Sequence, residues 1–346
     1  MTDPRPIAMA KRVPVALAAY LEPFNSFLDR PDIIEICVNS PGQVFVEAYS
    51  GWEAHSLLQL TFDFLMSMVR AIGSYARQEI NETSPLLSGS LPGGERIQIV
   101  VPPAVPAGTV SITIRKPAQR SFTLEELAGL GMFDDLTANA DTPDGDSREL
   151  MQLHKDRAWL PFLKKAVTAK KNILISGATG SGKTTFSKAL IPLIPEHERL
   201  ITIEDTVELE LPQPNAVRLI YSKGGQGEAN VSARDLLESA LRMRPNRIFL
   251  QELRDAAAFY YLRNVNTGHA GSITTIHADS AQLAFEQLAL LVKESEAGRD
   301  LKRGEIKDML YQMVDVVVQI RKTPQGRRIT EIFYDPSLKQ AKGGAE

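Results

Sequence analysis

The segment Gly177-Ala178-Thr179-Gly180-Ser181-Gly182-Lys183-Thr184 matches the phosphate-cradling pattern G-x-x-x-x-G-K-[ST] at every fixed position. The chemistry explains the residue types. Small residues let the backbone wrap a β-phosphate and aim several N–H groups at it, and a following helix adds its positive amino end. Lys183 would neutralise β- and γ-phosphate charge, and Thr184 would place a hydroxyl on Mg²⁺. With Thr185 next on the helix, residues 177–185 are the expected nucleotide-binding set. The flanks agree, with an apolar strand before the loop and a helical run after it. The pattern implies a nucleotide but does not name the reaction.

The companions of the loop narrow the chemistry. A strand over 200–203 ends in Glu204 and Asp205, with Glu208 further on, and a strand over 248–250 ends in Gln251 and Glu252, followed by Arg254. In a parallel α/β sheet, ligands sit at the carboxyl ends of the strands. One carboxylate there can hold Mg²⁺ through water and another can polarise an attacking water. Both acidic clusters point toward the phosphate loop, with Thr184, Glu204 and Asp205 the candidate metal contacts. Each acid taken singly reads equally well as a solvated strand end; two such ends in one sheet with a phosphate loop favour a site. A strand over 272–276 ends in His277, at the same level as Glu204 and Glu252, which suits γ-phosphate sensing or coupling. His269, just before that strand, is a weaker candidate. Metal binding by the two histidines is disfavoured, because the Ser/Thr run between them supplies no third ligand.

These groups need a frame, and the second half supplies one. Strands alternate with helices over 183–193 and 232–243, the latter opened by a capping box of Ser232 and Asp235. The alternation implies an α/β domain with a mainly parallel sheet, closed by a hairpin of 314–320 and 328–334. The first half reads as a smaller α+β domain: a helix over 14–28, strands over 33–38 and 44–47 joined by Asn39-Ser40-Pro41-Gly42, a helix over 62–80, and strands over 96–101 and 110–114. Residues 136–148 carry Asp141, Pro143, Asp144, Gly145 and Asp146 and almost nothing apolar, which marks a boundary. The expected division is 1–117 for the small domain, 118–155 for a linker with a short helix, and 156–346 for the phosphate-loop domain.

Composition limits the alternatives. The chain has 346 residues, a net charge of -3 and 43% hydrophobic residues, which suits two globular domains. A single cysteine, Cys37, excludes a disulfide framework and a tetracysteine metal module. No apolar run reaches the length of a membrane span, and the amino-terminal apolar run lacks a cleavage pattern. The near-neutral charge disfavours a nucleic-acid motor, and no Asn-Lys-x-Asp motif points to guanine.

The order of phosphate loop, Ile201-Thr202-Ile203-Glu204-Asp205, residues 247–252 and residues 268–278 resembles the Walker A motif, Asp box, Walker B motif and His box of the secretion-ATPase superfamily. Residues 35–47, Leu91-Pro92-Gly93-Gly94-Glu95-Arg96 and residues 111–117 resemble the VirB-eleven-like ATPases of bacterial type IV secretion and conjugation, so the likeness covers nearly the whole chain. It departs at Gln251, where the superfamily commonly has glycine. The resemblance implies a RecA-like P-loop domain, a PAS-like amino-terminal domain and a homo-hexameric ring. It implies Mg²⁺-dependent ATP hydrolysis that powers the transfer of conjugative DNA or protein and pilus biogenesis. Lys183, Glu204, Glu252 and His277 become catalytic candidates, joined by Arg96 and Arg115 as γ-phosphate arginines. The implied setting is cytoplasmic, peripheral to the inner membrane, among inner-membrane components and sister ATPases of the secretion system; direct nucleic-acid binding stays open. The competing readings are a type II secretion or pilus-retraction ATPase, a RecA-like nucleic-acid motor, and a nucleotide-binding scaffold without turnover.

Overall fold

The computed structural model describes residues 14–117, 123–134, 145–222, 227–265 and 268–340. The chain divides into two compact units, Met1–Arg120 and Ser121–Glu346. In the first, the run expected as one helix over 14–28 is broken into α1 (Val15–Leu21), a 3-10 turn (Glu22–Phe24) and α2 (Asn25–Leu28). Pro23 has no N–H to continue the ladder. Then follow β1 (Ile33–Ser40), β2 (Gln43–Ala48), β3 (Gly51–Ser56), α3 (Phe62–Ala76), β4 (Leu86–Ser90), β5 (Arg96–Val100) and β6 (Ser111–Arg115). The strands form one sheet in the order β3-β2-β1-β6-β5-β4, antiparallel throughout. Helix α3 starts where Thr61 accepts from the Phe64 N–H and stops at Arg77, in the left-handed region at φ 56°, short of the expected end at residue 80. Its Leu65, Met68, Val69 and Ile72 recur at helical spacing and pack against Ile36, Val38, Ile97 and Ile112 of the sheet in one core.

The second unit begins with α4 (Leu124–Gly129), α5 (Gly145–Lys155) and α6 (Trp159–Thr168). Residues 145–155 lie in the stretch expected as linker, yet they form a regular helix whose Leu150 is buried with Phe162 and Leu163 of α6. The local composition is polar because only one face of this helix is covered. Residues 135–144, with the acidic centre of the expected linker, lie outside the described residues.

The remaining elements are β7 (Ile173–Ser176), α7 (Lys183–Leu190), β8 (Leu200–Glu204), β9 (Ala216–Ile220), α8 (Ala233–Ala240), β10 (Arg247–Leu250), α9 (Ala257–Val265), β11 (Ile273–Ile276), α10 (Ala281–Glu294), α11 (Arg303–Met313), β12 (Val316–Thr323), β13 (Gly326–Tyr334) and α12 (Ser337–Gln340). Strands β10-β8-β9 pair in parallel. So do β11-β7-β12, with β13 antiparallel at the edge as the expected hairpin. The two groups join through a parallel bridge between Glu252 and Thr275, reinforced where the Leu253 N–H donates to the Thr275 carbonyl at 2.8 Å. Strands β7, β8, β10 and β11 are buried along their whole length, as in parallel sheets covered on both faces.

The amino ends of these strands are clamped by charge. Arg247, fully buried at the start of β10, donates to Glu198 at 2.8 and 2.9 Å and to the carbonyls of Val167 and Gly271 at 2.9 and 3.2 Å. Burial opposes the Glu198 charge, but Arg247 and Lys170 hold its carboxyl below the usual range. The carboxyl ends of the same strands are thereby held level at the opposite edge, where the site lies. Among the described residues no helix is long and apolar enough to cross a membrane.

Candidate active site

The phosphate loop links β7 to α7. Gly180 and Gly182 take φ of 74° and 105°, in the left-handed region that favours glycine. A Cβ on Gly177 would stand 2.5 Å from the Ile320 carbonyl oxygen and from Ser181 Oγ, so the loop is pressed against β12. Ser181 Oγ is buried and has no hydrogen-bond partner among the described residues, an orphaned polar atom suited to a ligand. Lys183 is buried at the start of α7, and its Nζ donates to the carbonyls of Gly177 at 2.7 Å and Ala178 at 3.3 Å. Burial pushes its ammonium below the ordinary lysine range, and Arg254 adds to this while Glu252 opposes it. Thr184 is half-buried one residue on, and Thr185 is exposed.

A continuous polar chain runs from the loop to the Walker B-like strand. His277 Nδ1 lies 3.2 Å from Lys183 Nζ, and its Nε2 lies 3.0 Å from Glu252 Oε1. The tautomer with hydrogen on Nε2 satisfies both contacts, accepting from Lys183 and donating to Glu252. Arg254 then grips Glu252, with Nη2 at 2.7 Å from Oε2 and Nε at 2.6 Å from Oε1. It also reaches Asp205 Oδ2 at 2.9 Å. Burial works against the Glu252 charge, but Arg254 first, then His277 and Lys183, holds its carboxyl below the usual range. A cleft of about 490 Å³ opens here, lined by Thr179, Glu252, Leu253, Arg254, Ile276, His277 and Gln287. The described residues contain no cluster of three or more His, Cys, Asp or Glu able to hold a metal by themselves.

The other expected residues fall in different places. Glu204 is fully buried. Its Oε1 accepts from Thr202 Oγ1 at 2.6 Å, and its Oε2 accepts from the N–H groups of Glu208 and Leu209 at 2.8 and 2.9 Å. Its carboxylate is spent on shaping the loop after β8, which does not fit the expected metal contact or base. Asp205, also expected at the metal, is held by Arg254. Gln251, the departure from the superfamily pattern, donates to Glu208 Oε2 at 2.9 Å and ties that loop to β10. His269 Nδ1 lies 3.2 Å from the Pro245 carbonyl, beside the amino ends of β10 and β11 and therefore away from His277; burial pushes its imidazole below the usual range. Arg96 and Arg115, far apart in sequence, stand directly opposite each other on β5 and β6 of the first unit. Glu35, buried on β1, sits 3.9 Å from Arg115. Gln287 on α10 carried no sequence signal, because an isolated glutamine on a helix has no motif.

The chain is similar to known proteins over nearly its whole length. Residues 146–337 match the family described as type II/IV secretion system protein. The chain is 52% identical over 327 residues to the type IV secretion system protein VirB11 of Bartonella quintana (strain Toulouse), covering 91% of this chain and 92% of that protein. It is 44% identical over 328 residues to VirB11 of Brucella suis biovar 1 (strain 1330), covering 93% and 91% respectively. The crystal structure of the VirB11 ATPase from the Brucella suis type IV secretion system in complex with sulphate superposes with a TM-score of 0.89 at 43% identity, covering 94% of this chain and 100% of that one. This homology favours type IV secretion over the type II, pilus-retraction and nucleic-acid-motor readings. The chain belongs to the type II/IV secretion family and is a type IV secretion ATPase of the VirB11 group.

Proposed function

We propose that ATP is hydrolysed at the carboxyl ends of β7, β10 and β11, with Glu252 as the residue that orients and deprotonates the attacking water. The observation that carries this reading is the chain Lys183–His277–Glu252–Arg254, which links the phosphate loop to one depressed carboxylate. Lys183 exchanges the Gly177 and Ala178 carbonyls for β- and γ-phosphate oxygens. That exchange frees His277 Nδ1; with a hydrogen on Nδ1 it would donate to a γ-phosphate oxygen while Nε2 stays on Glu252. Arg254 keeps Glu252 ionised and aimed, and Glu204 is a positioning residue for the loop beside it. Thr184 is the side chain that would hold Mg²⁺, whose chemistry is neutralisation of charge on the β- and γ-phosphates.

Arg96 and Arg115 supply further charge to the γ-phosphate. Both are exposed and directly opposed, and with Glu35 the carboxylate beside Arg115, the three side chains together still carry net positive charge, which supports this role. We read the second unit as RecA-like and the first as PAS-like, and the working form as a homo-hexamer docked peripherally on inner-membrane components of the secretion system. Loss of the γ-phosphate removes the ligand these groups share and shifts the balance between two conformations, as differential contacts allow.

The test is a pair of variants assayed for phosphate release and nucleotide binding. Lys183→Ala loses both, and turnover at the wild-type rate overturns the site. Glu252→Gln retains ATP binding and loses about 10²–10⁴-fold in kcat, the range of general-base catalysis; unchanged kcat removes Glu252 as the base.

A further inference from the structure

The hairpin of β12 and β13 ends in two like-charged pairs. Arg321 stands opposite Arg328, and Lys322 opposite Arg327. Directly opposed residues share a face of the sheet, and like charges there destabilise it. Arg321 has found an internal acceptor, the main-chain oxygen of Asp279. Arg327 instead lies on the phosphate loop: a Cβ on Gly182 would meet Arg327 Cδ at 2.9 Å and Nε at 3.5 Å. Among the described residues neither Lys322 nor Arg327 makes an ion pair, and both are exposed.

Gly182 immediately precedes Lys183 and caps α7. Main-chain N–H groups and the positive end of the helix converge there on a phosphate. The stem of Arg327 is thus seated on the cradle itself, and a planar guanidinium beside it has the fork geometry that phosphate oxygens accept. An anion bound at this point also relieves the repulsion between Lys322 and Arg327. We propose that Arg327 is a further nucleotide-binding residue, reaching the α- and β-phosphates from the side opposite His277, with Lys322 adding charge behind it. The sequence marked this hairpin only as the edge of the sheet. The inference rests on the reading of residues 177–185 as the nucleotide site.

The experiment is titration of the full chain with MgADP and with the non-hydrolysable MgAMP-PNP, in wild type, Arg327→Met, Arg327→Lys and Lys183→Ala. Methionine keeps an apolar stem on Gly182 and removes the charge; lysine keeps both. The expected result is weakening of both nucleotides by about 5–10-fold in Arg327→Met, the size of one exposed charge-assisted hydrogen bond. Arg327→Lys stays within about threefold and melting temperatures are unchanged. Affinity within about twofold of wild type in Arg327→Met overturns the proposal. So do equal losses in both variants, which mean packing or stacking, and a loss confined to the triphosphate analogue, which means γ-phosphate contact. Wild-type binding abolished by Lys183→Ala with Arg327→Met unaffected refutes Arg327 alone; wild-type binding that survives Lys183→Ala refutes the site reading instead.

Discussion

Glu252 and Glu204 end neighbouring parallel strands and look alike in sequence, yet their surroundings give them different work. Glu204 is closed off by Thr202 and two main-chain N–H groups. Glu252 faces a cleft and answers to His277 and Arg254. Arg254 is the residue that tunes it. Because the Glu252 carboxyl is held below its usual range chiefly by Arg254, removing that charge raises it. A base works only when deprotonated, so in Arg254→Met the acid limb of the kcat–pH profile moves to higher pH, and kcat falls most at the acid end. A profile of unchanged shape would show that Arg254 serves Asp205 alone. The acids, the histidine and the phosphate loop were legible as candidates because their types are chemically special. Which acid faces the cleft was not legible, because that depends on side chains brought from other strands.

At the scale of elements, β7, β8, β10 and β11 deliver the site residues because their amino ends are pinned by the Arg247–Glu198 pair. Glu198→Ala leaves a buried guanidinium without its counter-charge and is expected to cost about 3–5 kcal/mol. This would be read as a lower denaturation midpoint with an unchanged slope. The Glu198 carboxyl is depressed in the folded state, so its contribution is present above the unfolded carboxyl pKa and is lost as pH falls through the folded one. The stability difference between wild type and variant should therefore shrink in acid. The apolar strand runs and the capping box of α8 were readable from local pattern. Strands β3, β4 and β9 were not expected: they are short and only partly buried, and pairing with a neighbour makes them strands more than their own residues do. Helix α5 was hidden for the same reason, its single fully covered residue being Leu150.

At the scale of the whole molecule, each unit has its own core. The division predicts a separation of tasks. The second unit alone, residues 121–346, is expected to bind nucleotide through the phosphate loop. In the full chain, Arg96→Ala with Arg115→Ala should lower kcat by at least about 100-fold, as loss of a γ-phosphate arginine does, with MgADP affinity little changed. Unchanged turnover in that variant would return both arginines to the sheet surface. Native mass measurement with and without ATP tests the ring, and a monomer under both conditions counts against it.

The sequence by itself determined the phosphate loop, the order of the four nucleotide motifs, the two-unit plan and the likeness to secretion ATPases. These follow from local residue types and short spacings, which survive without knowledge of the fold. Tertiary structure alone decided that Glu204 braces a loop, that His277 joins Lys183 to Glu252, that His269 faces away, and that Arg327 sits on Gly182. Each of these joins residues distant along the chain, such as Lys183 with His277 and Gly182 with Arg327. Parallel pairing and a closing hairpin brought them together, and no periodicity along the chain encodes such a meeting.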